Sequence, residues 1–308
     1  MNGIATTSMA WLLANPVLGP LIEFQFMRNA VFACMALSLS AAPMGVFLML
    51  RRMSLTGDAM AHAILPGAAI GYLIAGLSLT AMTIGGTVAG LLVAVGSGLV
   101  ARHTVLREDT SLAALYLLSL ALGVLIVSVR GNSVDVLHVL FGSVLALDNA
   151  ALQLLGGIAL TTLATLTLLF RPLVLECLDP GFLRSVGRWS PVAHGGFLVL
   201  LVINLVAGFH ALGTLMAVGI MVLPAATARF WVRRLLPMLF TATGLALFAC
   251  LSGLLISYHA DWPTSPVIVL SLGVCYLASL LFAPQGLLRH PRAAPRRFNP
   301  NPNADHVP

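Results

Sequence analysis

The chain has 308 residues, of which 59% are hydrophobic and only 8% are charged. Soluble domains carry about 25% charged residues, so this composition excludes a water-soluble protein and indicates a membrane protein. The net charge is +6, and all 16 basic residues are arginine. Without lysine the chain cannot form a P-loop nucleotide site, and the placement of its arginines between apolar segments indicates membrane orientation rather than nucleic-acid binding.

Nine apolar segments, each long enough to cross a bilayer as a helix, follow one another along the chain. The segment before them, residues 1–26, is broken by Pro16 and Pro20 and is predicted to lie at the membrane interface. The predicted spans cover residues 27–50, 58–77, 81–101, 110–129, 151–170, 191–208, 211–228, 236–257 and 264–283. The sequence therefore predicts an all-α polytopic membrane domain over 27–283, followed by a disordered cytoplasmic tail over 284–308.

The arginines predict the orientation of these spans. With the N-terminus outside and the C-terminus inside, only Arg28 and Arg130 are external and the other arginines are cytoplasmic. This matches the positive-inside rule, and the opposite orientation would violate it. Within the predicted spans, the one at 211–228 is the least regular because Pro224 interrupts it.

One ionisable pair, Asp58 and His62, lies in a predicted span, in the stretch SLTGDAMAHAILPG. The two residues are four apart and share a helix face. His62 follows Arg52 by ten residues, about 15 Å along a helix, which predicts a position near the bilayer midplane. An intramembrane carboxylate costs about 2.5–3.5 kcal/mol, so it is a candidate functional residue.

A carboxylate oxygen and an imidazole nitrogen are suitable ligands for Zn²⁺ or Mn²⁺. Asp58 and His62 are therefore a candidate transient site for a transported cation. The same residues are also compatible with a packing hydrogen bond, with Asp58 as a helix cap, or with a proton relay.

A second set of polar side chains lies on the predicted outer side. They are Asp135, His138, Asp148, His210, His259 and Asp261. These residues are candidates for guiding a cation to the pathway or docking a binding protein, and the alternative is that they are solvated loop residues. The chain shows no catalytic motif such as HExxH or GxSxG, so the sequence does not predict an enzyme.

The longest predicted inner loop, residues 171–190, contains start and stop signals for a short helix. Asp179 and Pro180 can begin a short helix, which Gly187 can end, and Leu183 lies on its apolar side. Such a helix could lie under the membrane or dock a partner.

These features together resemble the permease subunits of bacterial ATP-binding-cassette (ABC) importers for zinc and manganese. The resemblance runs in order over roughly residues 21–283, and its stretches are FMRNA (26–30), GVFLMLRRMSLTGDAMAHAILPGAAIGYLIAG (45–76), EDTSLAALYLLSLALGVLIVS (108–128), LFGSVLAL (140–147), LDPGFLRSVG (178–187), GTLMAVGIMVLPAATAR (213–229) and SYHADWPTSPVIVL (257–270). The stretch around Asp58 and His62 is the most specific of these.

The resemblance implies an all-helical permease fold in a bacterial inner membrane, with a second permease copy, a separate cytoplasmic ATPase and an external metal-binding protein as partners. It implies that Asp58 and His62 coordinate the metal in transit, with no permanently bound cofactor. It also implies that Asp179, Pro180, Leu183 and Gly187 match a DPxxAxxxG segment that contacts the ATPase, although the family usually has Ala where Leu183 stands.

The sequence-based expectation for the cargo is Zn²⁺, because imidazole suits zinc whereas Mn²⁺ prefers oxygen. Manganese or iron import by the same family is the alternative. The rival functions are an ATP-independent cation channel or carrier, an importer of larger chelates, and a purely structural membrane scaffold. The importer of larger chelates leaves Asp58 unexplained.

Overall fold

The computed structural model describes residues 24–53, 55–76, 78–104, 108–129, 147–178 and 189–287. Ten helices occupy this part of the chain. They are α1 Gln25–Leu50, α2 Thr56–Ala75, α3 Leu79–His103, α4 Glu108–Val129, α5 Asn149–Leu168, α6 Phe170–Leu178, α7 Trp189–Leu212, α8 Thr214–Trp231, α9 Leu235–Ala260 and α10 Thr264–Phe282. The described residues form no strands, which confirms the predicted all-α fold.

All of these helices except α6 are long and apolar enough to cross a membrane. Each coincides with one predicted span. Pro224 lies inside α8 without ending it, so the irregular span at 211–228 is also confirmed. Two predicted regions, residues 1–23 and the tail beyond 287, lie outside the described residues.

The short helix α6 differs from the sequence-based prediction, which placed a helix only from Asp179 onward in this loop. It follows α5 directly, with Leu169 between them. Pro172 is its third residue, where a proline is tolerated because the first helical N–H groups have no partner within the helix. The predicted segment from Asp179 to Gly187 lies outside the described residues.

The helices pack around two central members, α1 and α7. Two thirds of each membrane-length segment of these helices is buried within the chain, against 17% for α4. α1 contacts α5, α8 and α9, while α7 contacts α3, α5 and α8. The core between them contains Phe47, Phe197 and Leu201, which are almost fully buried.

Glycines lie where α2 and α3 approach each other closely, among them Gly67 and Gly71 in α2 and Gly85 in α3. A Cβ atom on Gly67 would overlap the backbone carbonyl of Gly85, and one on Gly71 would overlap that of Ala81. Without side chains at these positions, the two backbones can come into direct contact. This arrangement fixes α2, the helix that carries Asp58 and His62, against α3.

Candidate metal-pathway site

A tight turn of the backbone leads from α1 into α2. The amide of Arg51 donates to the carbonyl of Phe47, and the amide of Met53 donates to that of Leu48, both at 3.0 Å. Arg52 adopts a left-handed conformation with φ of 60°. Because this turn contains only residues 51–55, the start of α2 is held close to the end of α1.

Asp58 is the third residue of α2, in its first turn. The N-cap position is Leu55, which makes no side-chain cap bond, so Asp58 is not the N-cap residue. Its carboxylate still lies near the positive end of the helix dipole, where a negative charge is favoured. His62 follows Thr56 by six residues, about 9 Å along α2. It is therefore nearer to this end of the helix than the count from Arg52 predicted, because α2 begins only at Thr56.

The two site side chains lie together but do not form a hydrogen bond. His62 Nε2 is 3.8 Å from Asp58 Oδ1, which exceeds hydrogen-bond length. The Asp58 side chain is 64% exposed and that of His62 is 34% exposed. His62 Nδ1 is buried and has no hydrogen-bond partner within the described part of the chain. This geometry does not support a packing hydrogen bond between the two and leaves the carboxylate accessible to a cation.

The exposed face of α2 extends beyond this pair. Leu65 and Ala69 are also partly exposed, at the spacing that continues one helical face. The opposite residues, including Met60 and Ile64, are buried. Asp58 and His62 therefore begin an open stripe along the first half of α2, where the other faces are buried.

Pro66 lies one turn beyond His62. Because proline has no N–H, it cannot donate to the carbonyl of His62. α4 packs against this turn, with Gly123 beside Pro66, and the hydroxyl of Ser119 donates to the carbonyl of Ala63 at 3.0 Å. This turn is thus supported on the side facing α4.

The predicted outer-side residues are not brought together in the described structure. Asp135 and His138 lie outside the described residues, as does the predicted ATPase-contact set Asp179, Pro180, Leu183 and Gly187. His210 is in the last turn of α7. Among the residues that the structure describes, no three His, Cys, Asp or Glu side chains form a metal cluster.

Two more of the predicted outer residues, His259 and Asp261, lie where α9 ends. His259 is exposed, and its Nδ1 lies 2.9 Å from the carbonyl of Leu255 in its own helix. Asp261 is exposed in a left-handed conformation that ends α9. Both remain candidates for an outer guiding role.

A buried ion pair is the feature that the sequence analysis missed. Arg51 Nη2 lies 3.7 Å from Glu176 Oε1, and each side chain is 6% exposed. The sequence contained one signal, a single carboxylate within the otherwise apolar end of FRPLVLECL. Its partner could not be inferred, because the two residues are distant in sequence.

The nine membrane-length helices found among the described residues define a polytopic membrane protein, and one of them carries an accessible Asp–His pair. Residues 23–283 match the model of the ABC 3 transport family. The chain belongs to this family, and it is a multi-pass plasma membrane permease. This confirms the family recognised from the sequence.

Known members are similar over most of the chain. The manganese import system permease protein ScaB of Streptococcus parasanguinis is 34% identical, covering 85% of this chain and 92% of the relative. The chelated iron transport system membrane protein YfeD of Yersinia pestis is 30% identical, covering 84% of this chain and 86% of the relative. A chain of the solved structure of PsaBC from Streptococcus pneumoniae in complex with Fab superposes with a TM-score of 0.75 at 30% identity, covering 86% of this chain and 94% of that one.

Proposed function

We propose that this chain is the permease subunit of an ATP-driven importer of divalent transition metal, with Mn²⁺ as its main cargo and Fe²⁺ as the alternative. The observation that carries the proposal is the Asp58–His62 pair, which is accessible on the open stripe of α2. The family match and the names of its relatives support the class of transporter.

The choice of manganese departs from the zinc expected from the sequence. The similar relatives named above carry manganese or iron in their names, which favours the alternative over zinc. The exposures of the two ligands agree with this choice, since the carboxylate is more accessible than the imidazole and Mn²⁺ prefers oxygen ligands.

Two side chains cannot complete a metal site on their own. A second permease copy facing the open stripe of α2 would supply a second Asp58 and a second His62. It would also remove the ionisable side chains from contact with lipid, which would otherwise be costly. We therefore infer a homodimer of permeases, with the pathway between the two copies.

The remaining partners follow from this arrangement. An external metal-binding protein delivers the ion, and a cytoplasmic ATPase contacts the segment around Asp179, Pro180, Leu183 and Gly187. ATP binding and hydrolysis in that subunit change the side of the membrane to which Asp58 and His62 are open. The permease contributes coordination and orientation of the ion, whereas hydrolysis takes place in its partner.

Metal uptake in cells lacking their own importers tests the proposal. The chain is expressed with its ATPase and binding protein, and uptake of Mn²⁺, Fe²⁺ and Zn²⁺ is measured separately. We expect Asp58→Asn and His62→Gln each to lower manganese uptake by at least about tenfold, because each removes a ligand from both copies and loss of even an outer-shell partner of a ligand costs roughly 10–100-fold. Membrane abundance of the permease is measured in parallel.

Asp109→Asn is the matched control for Asp58→Asn. Asp109 is also an exposed aspartate in the first turn of a helix, α4, and its substitution is expected to leave uptake unchanged. Uptake that persists with a catalytically inactive ATPase would contradict the importer and favour a channel or carrier. Uptake of Zn²⁺ in preference to Mn²⁺ and Fe²⁺ would contradict the choice of cargo.

A further inference from the structure

The buried ion pair of Arg51 and Glu176 joins three helices near the predicted cytoplasmic side. Arg51 follows the last residue of α1, and Glu176 is in α6. The guanidinium of Arg51 also stacks over the ring of Phe197 in α7, 5.0 Å from its centre. Since a buried charge without its partner is strongly unfavourable, this contact holds α1, α6 and α7 together.

The pair is incompletely satisfied in the described arrangement. Arg51 Nη1 and Glu176 Oε2 are both buried, and neither has a hydrogen-bond partner among the residues that the structure describes. The 3.7 Å contact between Nη2 and Oε1 is longer than the charge-assisted bonds of about 2.7–2.9 Å that Arg and carboxylates form. A bidentate arrangement would satisfy both free atoms. A displacement of α6 of roughly 1 Å would therefore convert the described contact into a tighter one.

The position of the pair in the chain links two functional regions. Arg51 begins the turn into α2. Because the backbone of this turn is hydrogen-bonded to the end of α1, a displacement of Arg51 is passed on to α2 rather than absorbed within the turn. Asp58 follows in the first turn of α2. At the other side of the pair, Glu176 lies three residues before Asp179, where the predicted ATPase-contact segment begins.

We propose that Arg51 and Glu176 are positioning residues that transmit movement of α6 to the turn before α2, and so couple ATP hydrolysis to the exposure of Asp58 and His62. The proposal rests on the function proposed above, since it requires an ATPase at the segment after α6. Neither residue contacts the ion. Glu176 moves with α6, and Arg51 passes that movement to the turn before α2.

A purely structural role predicts a different outcome from a coupling role. If the pair only stabilises the fold, its loss lowers the amount of folded complex. Metal uptake and ATP hydrolysis then fall together, and their ratio is unchanged. If the pair couples α6 to α2, its loss lowers the number of ions moved per ATP in complexes that are folded and still hydrolyse ATP.

The test uses the complete transporter in proteoliposomes, with permease, ATPase and binding protein. Mn²⁺ uptake and ATP hydrolysis are measured on the same vesicles and expressed per folded complex. For Glu176→Gln we expect the ratio of Mn²⁺ to ATP to fall about tenfold, with hydrolysis remaining within about twofold of wild type. Glu176→Asp keeps the charge but shortens its reach, and we expect an intermediate ratio.

Arg171→Gln is the control, because Arg171 is an exposed cation on the same helix. The number of Mn²⁺ ions moved per ATP by this variant is expected to equal that of wild type. The charge-reversed double variant, Arg51→Glu with Glu176→Arg, restores opposite charges and is expected to raise the ratio above that of Glu176→Gln. If Glu176→Gln does not yield folded complex, Glu176→Asp and the double variant decide the question.

The coupling role is overturned if Glu176→Gln moves as many Mn²⁺ ions per ATP as wild type. If Glu176→Gln does not fold, the same result with Glu176→Asp overturns it. The wild-type vesicles separate this failure from that of the proposed function. Uptake of Fe²⁺ and Zn²⁺ into the wild-type vesicles is measured in the same way, and if none of the three metals shows ATP-dependent uptake, the importer itself is wrong. If wild type imports metal and the variants keep its ratio, only the coupling inference fails.

Discussion

At the scale of single residues, Asp148 has a role that its side-chain contacts define. It precedes α5, and its Oδ1 accepts a hydrogen bond of 2.8 Å from the amide of Ala151. This is an N-cap, which satisfies one of the amides at the start of the helix. Asp148 therefore has a structural explanation, although its sequence position also suited an outer guide for cations.

We expect Asp148→Ala to lower the free energy of unfolding by about 1 kcal/mol, because alanine cannot accept the amide hydrogen bond. Asp148→Asn should retain most of the stability, since asparagine also caps helices well. Thermal unfolding of the purified permease in detergent measures both effects. Metal uptake per folded molecule should equal that of wild type in both variants. Loss of uptake at unchanged stability would instead identify Asp148 as a guiding residue.

The candidate site was predictable from the sequence to the extent that local spacing determines it. Asp58 and His62 are four residues apart, so a helix places them on one face whatever the tertiary structure. The exposure of that face and the 3.8 Å separation depend on neighbouring helices. The Arg51–Glu176 pair depends wholly on tertiary packing, so no local pattern could reveal its partner.

At the scale of helices, glycine contacts fix α2 against α3. We expect Gly67→Ala to destabilise the permease by about 1–3 kcal/mol, since the added methyl group overlaps the carbonyl of Gly85 and forces the helices apart. Gly98→Ala is the matched control within α3, because a Cβ at Gly98 meets open space. Its expected effect is neutral or slightly stabilising.

Thermal unfolding in detergent, together with uptake per folded molecule, measures the effect of both glycine substitutions. Because α2 carries Asp58 and His62, Gly67→Ala should also lower uptake in the molecules that remain folded. Equal stability of the two variants would contradict a direct backbone contact between α2 and α3.

The helices themselves were largely predictable, because apolar length alone identifies a membrane-spanning helix. Pro224 did not break α8, which shows that a proline inside an apolar segment is weak evidence against a membrane helix. α6 was not predicted. Its nine residues are too few for a span, and Pro172 is compatible with the first turn of a helix as well as with a loop.

At the scale of the whole molecule, burial is distributed unevenly around α2. The helix packs against α3, α4, α7 and α8, yet the stripe formed by Asp58, His62, Leu65 and Ala69 remains partly exposed. Apolar side chains elsewhere on the surface, such as Leu160 at 73% exposure, are compatible with lipid. An exposed carboxylate and imidazole are not, because the membrane interior does not solvate them. The open stripe therefore calls for a polar environment, which a second permease copy would provide.

Disulfide crosslinking of the permease in native membranes tests this arrangement. The four native cysteines, Cys34, Cys177, Cys250 and Cys275, are first replaced by alanine, and a single cysteine is introduced at Leu65 or at Leu160. On mild oxidation we expect Leu65→Cys to form a covalent dimer, because the same residue of the second copy would face it across the pathway. Leu160→Cys, on the exposed apolar surface of α5, should remain monomeric. Excess Mn²⁺ should alter the yield of crosslinked dimer for Leu65→Cys but not for Leu160→Cys, since the ion would bind at His62, beside Leu65.

Equal crosslinking yields at the two positions would show that the contacts are collisional. The open stripe of α2 would then face something other than a second copy.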